Sequence, residues 1–202
     1  MDSKFVFRED IVHPDDKVIL SKLGVMQQYY NLKYRLAKFV KPKVIAEIGV
    51  RAGYSGWTFL QAAPEAKYYG LDANNGSHGG KGINEHDWWS HAKDILHEYN
   101  TVLTEVDTQK VNTLTSIIKD LVDLFHVDGD HTKEGVKHDL DLAAKVLSPT
   151  GAILVDDIHY IKPVRLGVDE WLDKHKEFKG QYVHSLRGET LIQREEYFNR
   201  FN

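Results

Sequence analysis

Carboxylates and histidines are concentrated in two short segments, Asp128-Gly129-Asp130-His131 and Asp156-Asp157-Ile158-His159. Each follows an apolar run, residues 124–127 and 152–155, of the length expected for a buried strand. If the two runs are neighbours in one sheet, their carboxylates emerge side by side at the same edge. Like charges held close repel, and a divalent cation that prefers oxygen ligands relieves the repulsion; magnesium or manganese is the natural candidate. A histidine in such a group can take or give a proton near neutral pH. A third segment, Glu47-Ile48-Gly49-Val50-Arg51-Ala52-Gly53-Tyr54-Ser55, follows another apolar run. Its glycines suit a tight turn that lets a ligand approach the backbone, and Ser55 opens the next helical stretch, whose amides can bind a carboxylate. Three residues separate Gly49 from Gly53. The G-x-G-x-x-G dinucleotide fingerprint has one, so a nicotinamide cofactor is disfavoured.

The elements that must carry these groups alternate. Helical spacing over 15–39 ends at Lys41-Pro42 and predicts a leading helix or helix pair. Strands are predicted at 44–48, 68–71 and 101–106, with helices over 57–63, 86–99 and 111–119. Strands at 124–127 and 152–155 enclose a helix over 134–147, and a helix over 164–175 follows. Residues 182–186 and 190–193 flank Arg187-Gly188-Glu189 as a closing hairpin. This order predicts an α/β fold: a Rossmann-like, doubly wound, mostly parallel seven-stranded sheet with helices on both faces and a C-terminal antiparallel hairpin. We expect one domain over 1–202, with a helical cap at 1–42 and the core at 43–202; ligands of such sheets collect at the carboxyl ends of the strands.

With 42% hydrophobic and 28% charged residues in 202, the composition is that of a folded globular chain. The net charge of −4 gives no basic footprint for nucleic acid. Lys33, Arg35, Lys38, Lys41 and Lys43 read as a solvated helix face. The absence of cysteine removes disulfides, thiolate metal sites and cysteine nucleophiles. No signal core and no run of eighteen apolar residues is present, so the expectation is a cytoplasmic protein without membrane association. A homodimer is one assembly compatible with this reading.

The stretch E-I-G-x-x-x-G-Y-S resembles the first motif of class I S-adenosylmethionine-dependent methyltransferases. Together with Asp128 to His131 and Asp156-Asp157, it is similar to their metal-dependent small-molecule O-methyltransferase branch: the catechol enzymes and the cephalosporin-hydroxylase-like and macrocin-type sugar enzymes. The resemblance implies an S-adenosylmethionine site containing Glu47, Gly49, Arg51, Gly53, Tyr54 and Ser55. It gives Asp72 to the ribose hydroxyls, Asp107 and Thr108 to adenine, and Asp128, Asp156 and Asp157 to Mg2+ or another divalent cation. Catechol enzymes usually carry asparagine at the second place of the Asp156-Asp157 pair, and two aspartates fit the macrocin type. His131 stands where catechol enzymes have a lysine base, which makes it the candidate base, with Asp130 as the alternative and Asp128 beside both. His159 reads as a loop histidine or a substrate contact. The segment Asn84-Glu85-His86-Asp87-Trp88-Trp89, after the polar loop at 74–82, reads either as a lid, with Trp88 over adenine, or as ordinary packing. The implied reaction is methyl transfer to a hydroxyl of a small molecule, a metal-chelating vicinal diol such as a sugar or catechol. The alternative is a catalytically inactive S-adenosylmethionine-fold binding or scaffold protein.

Overall fold

The computed structural model describes residues 5–75 and 86–198. After a 3-10 turn at Glu9–Ile11 come α1 (Lys17–Leu20), α2 (Leu23–Val40), β1 (Val44–Ile48), α3 (Tyr54–Ala62), β2 (Lys67–Asp72), α4 (Trp88–Leu96) and β3 (Thr101–Glu105). A second 3-10 turn, Thr108–Lys110, precedes β4 (Val122–Val127), α5 (Lys133–Val146), β5 (Leu147–Val155), α6 (Lys162–Lys174), β6 (Phe178–Val183), β7 (Glu189–Arg194) and α7 (Glu195–Phe198).

The strands form one sheet in the order β3-β2-β1-β4-β5-β7-β6. The first five run parallel, and β7 pairs antiparallel with both β5 and β6. The expected architecture is therefore observed; the closing hairpin is present, with its first strand at Phe178–Val183 rather than over 182–186. Strand alternation explains its two cores. Ile45, Leu124, Ala152, Leu154 and Leu191 pack under α2, α3 and the start of α4 with Tyr30, Phe59 and Trp88. Ala46, Ile48, Phe125, Val127, Ile153 and Ile192 pack under α5 and α6 with Val136, Leu140, Val168 and Trp171. Burial on both faces is what makes these strands read as near-continuous apolar runs.

The chain reverses its direction of winding between β1 and β4, so their carboxyl ends border a crevice, the usual ligand position in such sheets. The backbone ladder continues past the strand ends there: Asp128 N donates to Ile48 O at 2.9 Å and Gly49 N to Leu71 O at 2.8 Å.

One expected helix is missing. Residues 111–119 make a single turn, in which the amides of Ile117 and Ile118 reach Leu114 O at 2.9 and 2.8 Å. Thr113 Oγ1 accepts from Thr115 N at 3.3 Å, a local bond that competes with helix formation, while Leu114 and Ile118 still reach the core. Helix α3 begins three residues earlier than its apolar pattern suggested, because Gly53 adopts φ 80° and caps it. Strand β5 starts at Leu147, with a register irregularity where Val122 and Leu124 of β4 face it.

Candidate functional site

A cavity of about 390 Å3 opens at the carboxyl ends of β1, β2 and β4, within the size range of small-molecule sites. Of the residues expected at the site, it is lined by Gly49, Arg51, Asp72, Thr108, Asp128, Asp130, His131 and Asp157; Asp16 and Arg187 join them. Asn84, Glu85 and part of the polar loop before them lie outside the described residues.

On the β1–β2 side, Gly49 adopts φ 91°, and a Cβ there would fall 1.9 Å from the Asp128 carbonyl oxygen, so no side chain fits. Arg51 also has positive φ, 47°, and its amide donates to Asp72 Oδ2 at 2.7 Å; the Asn74 amide donates to Asp72 Oδ1 at 2.7 Å. The two amides hold the Asp72 carboxylate, and each oxygen keeps a lone pair for an outside donor. The Arg51 side chain turns away to Asp16 Oδ2, 2.9 Å distant, and lies over Trp88 at 4.4 Å. Thr108 donates to the buried Asp139 at 2.8 Å.

Several expected cofactor residues take other positions. Glu47 is buried on the α2–α3 side, where Tyr68 donates to it and His126 Nδ1 lies 2.8 Å away. A Cβ on Gly53 would lie 3.1 Å from Ala92, so this glycine seats α4 against α3. The Tyr54 hydroxyl accepts from His13 N at 3.0 Å. Ser55 lies in the first turn of α3, away from the cavity lining. Asp107 caps the 3-10 turn through Gln109 N at 3.1 Å. Trp88 and Trp89 are buried, which favours the packing reading over the lid.

On the β4–β5 side, His131 Nε2 lies 3.1 Å from Asp128 Oδ1 and 4.0 Å from Asp157 Oδ2. Burial opposes the imidazolium, yet the hydrogen bond and charge of Asp128 outweigh it and hold His131 above the ordinary histidine value. Asp157 has φ 61° and faces Arg187 Nη1 at 3.3 and 3.4 Å. Burial and the charges of Asp128 and Asp156 push its carboxyl up to about 6. His159 packs against the hairpin turn, its amide donating to Arg187 O at 3.0 Å.

Asp156 departs from the expected ligand set. Its side chain is fully buried beneath the cavity, where Oδ2 accepts from Lys33 Nζ at 2.8 Å and from the Tyr29 hydroxyl, and Oδ1 accepts from Asp157 N at 2.8 Å. Burial would raise its carboxyl, but the Lys33 ammonium and His126 hold it well below the usual range. His126 is disfavoured as a cation by burial and by Lys33; hydrogen bonds to Asp156 and Glu47 nevertheless push it up to about 9. Among the described residues, two groups bring metal-binding side chains together: His126 with Asp128 and Asp156, and Asp128 with His131 and Asp157. The three carboxylates Asp128, Asp156 and Asp157 do not form such a group. The expected triad therefore does not fit a metal ion here, whereas the cavity and the held Asp72 carboxylate fit S-adenosylmethionine.

Lys33 was misread in the sequence as part of a solvated face. It is 0% exposed, and its place in the stripe Met26, Tyr29, Tyr30, Lys33, Ala37 is the signal that could have found it. Arg187 and Asp16 carried no such signal.

Among the described residues, no helix is long and apolar enough to cross a membrane. The family model described as a methyltransferase domain matches residues 46–158. No curated protein matches the chain. Solved structures with this fold include the O-methyltransferase TomG from Streptomyces achromogenes, involved in tomaymycin synthesis and solved with S-adenosylmethionine. It is 16% identical with a TM-score of 0.64, over 83% of this chain and 80% of that one. The Podospora anserina methyltransferase PaMTH1, bound to S-adenosylhomocysteine, is 18% identical with a TM-score of 0.64, over 84% and 79%. An O-methyltransferase from Bacillus cereus, also with S-adenosylhomocysteine, is 13% identical with a TM-score of 0.64, over 92% and 94%. With more than half of its length matched by the family model and its sheet shared with these enzymes, the chain belongs to the methyltransferase-domain family and has the class I S-adenosylmethionine-dependent fold.

Proposed function

We propose that the chain transfers the methyl group of S-adenosylmethionine to a hydroxyl of a small molecule. The observation that carries this reading is the shared cavity: Gly49 and the amide-held Asp72 line one side, and the His131–Asp128 pair lines the other. A bound S-adenosylmethionine supplies an electrophilic methyl group on a sulfonium. Asp72 accepts from the ribose hydroxyls, and the main chain at Gly49, which lines the cavity, borders the methionine portion. Asp128 fixes which nitrogen of His131 carries a proton, leaving the other to take the acceptor's hydroxyl proton as the oxygen attacks. Asp157, at the same rim, accepts from a second hydroxyl, so a vicinal diol such as a sugar or catechol is the proposed acceptor class. Holding the acceptor oxygen in line with the methyl group contributes much of the rate.

Calorimetric titration with S-adenosylmethionine tests the reading. Saturable binding is expected in the wild type. Asp72→Ala should weaken it by about ten- to a hundredfold, the loss of one or two hydrogen bonds to a charged group. No binding in the wild type would remove the proposal.

A further inference from the structure

The family resemblance calls for a divalent cation at the strand ends, and both groups that could hold one already contain a cation of the protein's own. In the group of His126, Asp128 and Asp156, Lys33 Nζ lies 2.8 Å from Asp156 Oδ2 and 3.0 Å from His126 Nε2, with Glu189 Oε1 at 3.9 Å. The ammonium thus contacts two of the three side chains of that group. With Lys33 and the Tyr29 hydroxyl on Oδ2 and the Asp157 amide on Oδ1, three of the acceptor positions of Asp156 are already taken by the protein's own donors. In the second group, Arg187 Nη1 lies 3.3 and 3.4 Å from the two oxygens of Asp157, and His131 lies 3.1 Å from Asp128 Oδ1. Mg2+ demands near-octahedral oxygen ligation and surrenders its waters reluctantly, so a site whose carboxylates already face an ammonium and a guanidinium offers it little.

We infer that Lys33 is the built-in cation of this acidic cluster, with Arg187 at its rim, and that the enzyme works without a divalent metal. The inference rests on the methyltransferase reading and adds a division of labour. Lys33 is a positioning residue: it clamps Asp156, whose Oδ1 fixes the left-handed turn at Asp157, which in turn sets the acceptor rim. At the cavity rim Arg187 supplies the positive charge, and the neutral His131 takes the proton. No step draws on a metal-activated hydroxyl, and the proton leaves through His131.

The test is a titration of the chelator-treated, S-adenosylhomocysteine-saturated protein with Mn2+, followed by electron paramagnetic resonance. The wild type is expected to show no saturable binding up to millimolar Mn2+. Lys33→Met, which removes the charge and leaves an unbranched side chain one atom shorter, is expected to gain at least tenfold in Mn2+ affinity as Asp156 and Asp128 lose the competing ammonium. Micromolar binding in the wild type would overturn the inference, as would a folded Lys33→Met protein that binds Mn2+ no better than the wild type. If Lys33→Met does not fold, the wild-type titration decides. S-adenosylhomocysteine binding, measured first, separates the two proposals: its absence sinks the methyltransferase reading, while Mn2+ binding alongside it sinks only this one.

Discussion

Asp156→Asn in metal-free protein separates two opposite accounts of one residue. If Asp156 were one of three carboxylates awaiting an ion, removing its charge would relieve repulsion with Asp128 and Asp157 and leave the metal-free protein as stable or more so. If Asp156 is the partner of Lys33, the substitution strands a buried ammonium. Breaking a buried pair in this way costs about 3–5 kcal/mol. Glu189, 3.9 Å from Lys33, remains as a partial counter-ion and favours the lower end. For a chain of this size each kcal/mol shifts Tm by roughly 2–4 °C, so the melting temperature should fall by about 6–20 °C. Urea unfolding and thermal melts in excess chelator measure this directly. Unchanged or increased stability would refute the argument from Lys33.

His131→Ala should lower turnover by about 10²–10⁴-fold, the usual range for a general base. Because His131 must be neutral to act and Asp128 holds it above the ordinary value, wild-type activity should rise with pH through a point above about 6.5. Asp128→Asn should move that rise to lower pH, and a profile that does not move would count against His131 as base. Gly49→Ala should abolish soluble expression or cofactor binding, since the new Cβ would overlap the Asp128 carbonyl; a folded variant with normal affinity would refute the assigned strand-end contact. His126, raised to about 9, holds a proton that the unfolded chain releases near 6.5. Its contribution is fully present below about 6.5 and is lost as pH rises through about 9, at up to about 1.4 kcal/mol per pH unit. Denaturation midpoints that stay flat between pH 7 and 9 would contradict a charged His126.

The central strands were legible because burial on both faces writes them as short apolar runs that stop at charged residues, whereas the exposed edge strand β6 lies upstream of the segment expected for it. The helix expected over 111–119 failed because its apolar spacing ignored the threonines and Ser116, which bond locally instead. At the site, glycine spacing and the position of Asp72 located the cavity, but the direction of individual side chains was misjudged. Strand alternation already held the answer for Asp156: with period two it follows Ala152 and Leu154 onto the α2–α3 face, while Asp157 belongs to the opposite set. Glu47 follows Ile45 in the same way. Lys33 was hidden by its charge, since a lysine in an amphipathic stripe is usually assumed to reach solvent. Arg187 reaches Asp157 only because β7 pairs with β5, a long-range relation that no local pattern encodes.

The close approach of Gly49 to the Asp128 carbonyl has a consequence for how such an enzyme can diversify. Donor side and acceptor side meet there through main chain alone, tied by the bond from Asp128 N to Ile48 O. The spacing between the ends of β1 and β4 is thus a fixed ruler, set by main chain with no rotamer to adjust. The cavity can change shape more readily at its periphery, at Asp16 and the turn carrying Arg187, than at this main-chain crossing.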